Sequence, residues 1–168
     1  MQTASKISIA LLSLICSFGA ATAADTPLPD AIAAPGLTPV LTAHAVGQQL
    51  YECKAGADGK LVWTFREPQA SLMADGKLIG KHYGGPTWEL EGGSAVVGKA
   101  VGNAPGKTAN DIAWLKLEAT SHKGSGKFDD VVMVQRINTI GGVLNDSCDR
   151  PGWTRGMPYA ADYVFLRK

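Results

Sequence analysis

The residues best suited to chemistry crowd into Gly80–Leu90, which reads GKHYGGPTWEL. His82, Tyr83, Trp88 and Glu89 stand around a Gly84-Gly85-Pro86 bend. Glycine permits φ > 0 and close backbone approach, and proline fixes the exit direction. An imidazole beside two aromatics and a carboxylate can contact a ligand. It can also move a proton, with His82 as acid/base and Glu89 as its partner. The same residues equally make a structural corner, with His82 bonded to a backbone carbonyl and Trp88 in the core. If this is a strand, Lys81 and Tyr83 share one face, and Leu78, Gly80 and His82 share the other. A second stretch, Val131–Gly142, ends an apolar run in Gln135, Arg136 and Asn138. Period two puts Val132, Val134, Arg136 and Asn138 on one side and Val131, Met133, Gln135 and Ile137 on the other. Polar groups at a strand end either meet the mouth of a barrel or sandwich or bond to neighbouring turns. The candidate ligand-binding set is therefore His82, Tyr83, Trp88, Glu89, Gln135, Arg136 and Asn138.

Other chemistries lack their parts. A metal centre needs three or four ligands in suitable geometry. The chain offers only His44, His82 and His122, with no H-x-H, H-E-x-x-H or C-x-x-C, so no metal and no cofactor is expected. There is no G-x-S-x-G. Gly106-Lys107-Thr108 has the tripeptide of a phosphate loop, but the preceding glycine is one residue too near and no helix follows. No catalytic residue is assigned. With 16 Lys+Arg against 15 Asp+Glu and no basic cluster, nucleic acid is not an expected partner.

The elements that position these residues read as β. Leu61–Arg66 alternates Leu61, Trp63 and Phe65 against Val62, Thr64 and Arg66. It pairs as a hairpin with Val46–Cys53 across Ala57-Asp58-Gly59-Lys60. Ala70–Met73 and Leu78–Tyr83 form a second hairpin across Asp75-Gly76. Thr87–Glu91, Ala95–Val101, Ala113–Thr120, Asp130–Thr139 and Ala160–Arg167 supply the remaining strands. Ser121–Lys127 reads as a mobile hairpin tip. Trp114, Lys116 and Glu118 alternate with Ala113, Leu115 and Leu117. No window sustains a helical apolar stripe. The expected fold is all-β, a single antiparallel sandwich or barrel with no substantial helix after the leader. Residues 24–40 carry four of the nine prolines and read as a lead-in, leaving 41–168 as one β domain.

Residues 1–23 read as a signal peptide: Lys6, an apolar run, then Ala21-Thr22-Ala23 as a cleavage site. The run is too short for a membrane anchor, and no small residue precedes Cys16 as a lipid site requires. Loss of residues 1–23 takes Lys6 and no acid, which leaves 15 cations and 15 anions. Export to the periplasm or beyond is expected, with no membrane anchor after cleavage. Of three cysteines, Cys16 leaves with the signal. Cys53 and Cys148 then form an even pair in an oxidising compartment, which reads as one disulfide. Closing so long a loop removes about 4–5 kcal/mol of unfolded-state entropy.

Six motifs stand in a fixed order. They are Tyr51-Glu52-Cys53-Lys54-Ala55, the run Gly80–Glu89, Ala113-Trp114-Leu115, Gln135–Thr139 with Gly141-Gly142, Cys148, and Pro158–Tyr163. In this the chain resembles a secreted bacterial and fungal family, domain of unknown function 3455, across about Leu37 to Phe165. The resemblance implies export, one domain and two matched cysteines, and adds weight to the Cys53–Cys148 pairing. It implies no catalytic residue.

The favoured function is binding of a small molecule or glycan at the Gly80–Glu89 corner by a non-enzymatic module. The alternatives are a secreted enzyme using His82 with Glu89, and an envelope structural or interaction protein. Amino-terminal sequencing of exported protein will begin at Ala24 or Asp25. Retention of the full-length chain in the membrane would show an anchor instead.

Overall fold

Apolar–polar alternation, interrupted by glycine-rich joints, folds into eight antiparallel strands. The structure, a computed structural model, describes residues 27–168, so the expected signal peptide and the start of the lead-in lie outside the described residues. The strands are β1 (Thr38–Ala55), β2 (Leu61–Ala74), β3 (Lys77–Tyr83), β4 (Thr87–Leu90), β5 (Ala95–Ala104), β6 (Trp114–Lys123), β7 (Met133–Gly141) and β8 (Thr154–Arg167). The only helical element among the described residues is a 3-10 turn, Asp30–Ile32. Each strand pairs with the next, and β8 pairs back onto β1, so the sheet is a closed barrel. The choice between sandwich and barrel falls to the barrel.

Two expected strands, Leu61–Arg66 and Ala70–Met73, are one. Proline gives no ladder hydrogen bond, so the sequence breaks at Pro68. In the fold, Leu50 pairs with Glu67 and Tyr51 with Phe65. Arg66 is thus the extra residue of a bulge, and the strand runs on through Pro68 opposite Gln49. β1 likewise begins at Thr38, inside the expected lead-in. A second bulge, between Leu72 and Met73, reverses the expected face at Leu78. Leu78 is exposed, and Ile79 packs on the core instead.

The two barrel ends differ. At the end that holds the β2–β3 turn, Phe128 and Val131 from the β6–β7 connection are fully buried beneath the strands. His122, expected on a mobile tip, donates from Nε2 to Val131 O at 2.8 Å. The inward row also holds Ala43, Ala45, Leu72, Val96, Leu117, Val134, Ala161 and Phe165. Charged Lys54, Lys81, Lys99 and Glu118 face out and are exposed. An apolar interior with charge outside is the reverse of a lipid-facing barrel.

The lead-in latches the outer wall of β5–β7. Ile32 is buried, Gln135 Nε2 donates to Ile32 O at 2.6 Å, and Lys116 Nζ donates to Ala33 O at 3.1 Å. Gly102 makes this approach possible, because a Cβ there would strike Ala31 O.

At the opposite end, long loops cross part of the opening. Asp111 pairs with Gly142 in an isolated bridge, and its carboxylate accepts from Gly141 N at 2.7 Å and Thr108 N at 2.9 Å. These bonds hold the Asp111 carboxyl below its ordinary value. Thr108, whose tripeptide fails the phosphate-loop pattern, is part of a loop clasp. Cys53 at the end of β1 is bonded to Cys148 in the β7–β8 loop, and Cys53 N donates to Trp153 O at 2.8 Å. Replacing both cysteines by serine should cost about 2–5 kcal/mol, read as a lower urea midpoint. An unchanged midpoint would show that the bond does not hold this loop.

Candidate functional site

Aromatic rings fill the barrel from its closed end to its middle. The Phe128 and Phe165 ring centroids are 4.3 Å apart, Phe165 lies 5.9 Å from Trp88, and Trp88 lies 5.2 Å from Tyr163. His82 stacks flat on Trp88 at 4.6 Å, with the planes 6° apart. Beyond this stack lies a cavity of about 360 Å³. That is the low end of the usual range for small-ligand sites, about 300–1,000 Å³. Its walls are Trp88, Tyr163, Leu115, Leu117, Pro68 and Phe65. Gly85, Pro86 and Ala100 form its rim on the disulfide side, and its charged groups are Arg66 and Arg136. No carboxylate lines it.

The register explains how β3 and β4 deliver two of these groups. His82 is paired with Trp88, and Lys81 with Glu89. Successive side chains alternate across a strand, so His82 and Trp88 point in while Lys81, Tyr83 and Glu89 point out. The joint is tight. Gly85 adopts φ +126°, and Thr87 Oγ1 donates to Gly84 O at 3.0 Å. On the outer face, Tyr83 OH donates to Glu89 Oε2 at 2.7 Å, and Lys81 Nζ lies 3.3 Å from Glu89 Oε1. The Tyr83 bond and the Lys81 charge hold the Glu89 carboxyl low, and Glu89 in turn pushes the Tyr83 hydroxyl up. No hydrogen bond links Glu89 with His82 among the described residues.

His82 is 3% exposed. Its Nδ1 lies 2.8 Å from Thr87 O. A carbonyl only accepts, so Nδ1 carries the hydrogen and donates. Burial lowers the imidazole pKa to about 3 against the weaker upward pull of the Thr87 bond, and the Arg136 charge lowers it further. The ring is therefore neutral at ordinary pH, and Nε2 is a bare acceptor with no partner among the described residues. The buried Trp88 Nε1–H also has no hydrogen-bond partner. His82 is at once bonded to a backbone carbonyl, as in a structural corner, and part of a cavity wall.

Arg136 enters from β7. Its Nε and Nη2 both donate to Ala113 O, at 3.0 and 2.8 Å. This fixes one edge of the guanidinium, and the Tyr163 hydroxyl is a further hydrogen-bond partner of Arg136. No carboxylate pairs with it there, whereas Arg66 Nε lies 3.6 Å from Glu67 Oε1. Burial pushes the Tyr163 hydroxyl up, and the nearby Arg136 charge offsets part of this, so Tyr163 stays a hydrogen-bond donor.

Of the seven candidate residues, the structure brings His82, Trp88 and Arg136 to one cavity. Tyr83 and Glu89 pair on the outside, and Gln135 holds the latch. Asn138, expected on the face of Arg136, is turned away. It takes φ +51° at the register break between Ile137 and Ile140 and donates to Asp162 Oδ2 at 2.9 Å on the outer wall. Asp162 also accepts from His44 at 2.8 Å. Phe65, Pro68, Leu115, Leu117 and Tyr163 were not singled out by sequence. Period two marks the leucines as core-facing, but an inward residue is equally core or cavity wall, and Phe65 is half exposed where it lines the cavity. Among the described residues, no three His, Cys, Asp or Glu side chains gather as a metal set.

Fold and site together define a small closed antiparallel barrel with an internal cavity that carries positive charge. The chain belongs to the family described as Protein of unknown function (DUF3455), whose pattern matches residues 33–78 and 73–167. No curated protein and no solved structure matches it.

The buried imidazole sets a pH dependence. The unfolded chain protonates His82 near 6.5, whereas the fold resists this until about 3. The contribution is fully present above about pH 6.5 and is lost as pH falls towards 3, by roughly 1 kcal/mol per pH unit. Urea unfolding of wild type and His82→Gln between pH 7 and 5 should show a shallower decline for the variant. Parallel profiles would mean that His82 takes up its proton in the fold as freely as in the open chain.

Proposed function

We propose that the protein is an exported, non-catalytic module that holds a small molecule inside its barrel. The observation that carries this reading is the cavity over the His82–Trp88 stack, where apolar walls surround the His82 imidazole and the Arg136 guanidinium. Ligand sites in barrels combine such walls with a few polar anchors. An internal cavity of this size favours a compact molecule over a glycan chain. Glu89 pairs with Tyr83 and Lys81 on the outer face, which favours this reading over an enzyme that uses His82 with Glu89. Export draws support from the disulfide and from the leader pattern of residues 1–23. No helix among the described residues is long and apolar enough to cross a membrane.

A neutral apolar dye, N-phenyl-1-naphthylamine, tests the cavity. It should brighten and shift to shorter wavelength on wild type with one site per chain. Ala100→Trp places an indole in the mouth at an exposed position and should abolish the signal while circular dichroism stays unchanged. Wild type that leaves the dye dark, or a blocked variant that brightens it equally, overturns the proposal.

A further inference from the structure

We propose that the ligand carries a carboxylate, which the remaining donors of Arg136 bind, on an apolar body seated among Phe65, Pro68, Leu115 and Leu117. This rests on the cavity being the binding site and names what it selects.

Three observations converge. First, the cavity has two arginines and no acid on its walls. Arg66 is beside Glu67, but the partners of Arg136, Ala113 O and the Tyr163 hydroxyl, are uncharged, so no carboxylate neutralises it. A cation kept in a mostly apolar site without a counter-ion is poorly solvated, and an entering anion restores that balance. Secondly, the Ala113 bonds fix the guanidinium through Nε and Nη2 and leave donors for an oxygen pair. Arginine recognises planar carboxylates in this way. Thirdly, the other walls are apolar: Phe65, Pro68, Leu115 and Leu117 stand beside the buried Trp88 and Tyr163 rings, whose planes are 65° apart. An apolar ligand body gains contact there. The neutral His82 Nε2 is left as an acceptor. A hydroxyl or ring N–H on the ligand body would suit it. A cationic ligand is disfavoured, because it would meet Arg136 and no carboxylate.

The test compares aromatic acids with their primary amides, which match them in shape. Benzoate, 2-naphthoate and indole-3-acetate are titrated by calorimetry at pH 7 against benzamide, 2-naphthamide and indole-3-acetamide. On wild type the best acid should bind at least about tenfold more tightly than its amide, the effect of a charge-assisted bond. Arg136→Gln should bring that acid to the level of its amide and leave the amide unchanged, and Arg136→Lys should keep part of the preference. If the substituted chains fail to fold, the acid–amide ratio on wild type and its decline with added salt decide alone. An amide that equals its acid overturns the carboxylate assignment and leaves the binding module standing. Acids whose preference survives in Arg136→Gln overturn the role of Arg136. If neither acids nor amides bind and the neutral dye also fails, the cavity reading falls and takes this one with it.

Discussion

The pairing of β8 with β1 is the constraint on which the molecule depends. It runs from Thr38 opposite Arg167 to Glu52 opposite Thr154. It leaves no strand of the sheet with an unpaired row of backbone groups. Closure at eight strands fixes the interior width, which suffices for one filling of side chains or one small ligand. On the closing strands the inward positions include Ala43, Ala45 and Ala161, all fully buried. Their small size leaves the axis to Trp88 from β4 and to Tyr163 and Phe165 further along β8. The rings fill the barrel only to its middle, and the cavity is the part of the interior that they do not reach.

Burial then sets the electrostatics. Inside the wall a charged imidazole would lose its water, so His82 remains neutral and acts as a fixed hydrogen-bonding group. Arginine does not yield its proton under the same pressure. Arg136 therefore carries the charge of the cavity, while Glu89 stays with Lys81 and Tyr83 outside. Two consecutive residues of β4, Trp88 and Glu89, thus serve unrelated ends, one as a wall of the interior and the other as a surface ion pair.

Three irregularities decide which side chains meet. The bulge at Arg66 carries β2 through Pro68, the shift near Leu72 exchanges Leu78 for Ile79, and the break after Ile137 swings Asn138 outwards. A slip of one residue reverses every later side chain in a strand. Arg136 precedes its break and stays inside, and Asn138 follows it and does not. The loop clasp at Asp111 and the Cys53–Cys148 bond hold the chain over the same end, so part of the mouth is roofed and part remains open.

Much of this was legible in residue order. Period-two alternation at Leu61–Phe65, the Asp75-Gly76 turn and the glycine-rich joints are local signals, and they fixed an all-β chain with its hairpins. Two cysteines left in an exported chain allow one pairing, so that bond also followed. Counting along β3 put His82 on the face opposite Lys81 and Tyr83, and the fold turned His82 inward. The sequence could not say that β8 returns to β1, because closure joins residues more than a hundred positions apart and no local pattern records it. Nor could it place the bulges, since an extra residue in one strand is defined only by the strand opposite. Tertiary structure therefore decided barrel over sandwich, separated Glu89 and Asn138 from Arg136, and turned an apolar face into a cavity wall. Hydrophobic alternation tells a side chain to leave water, and only the packing of distant strands determines whether it meets another side chain or an open space.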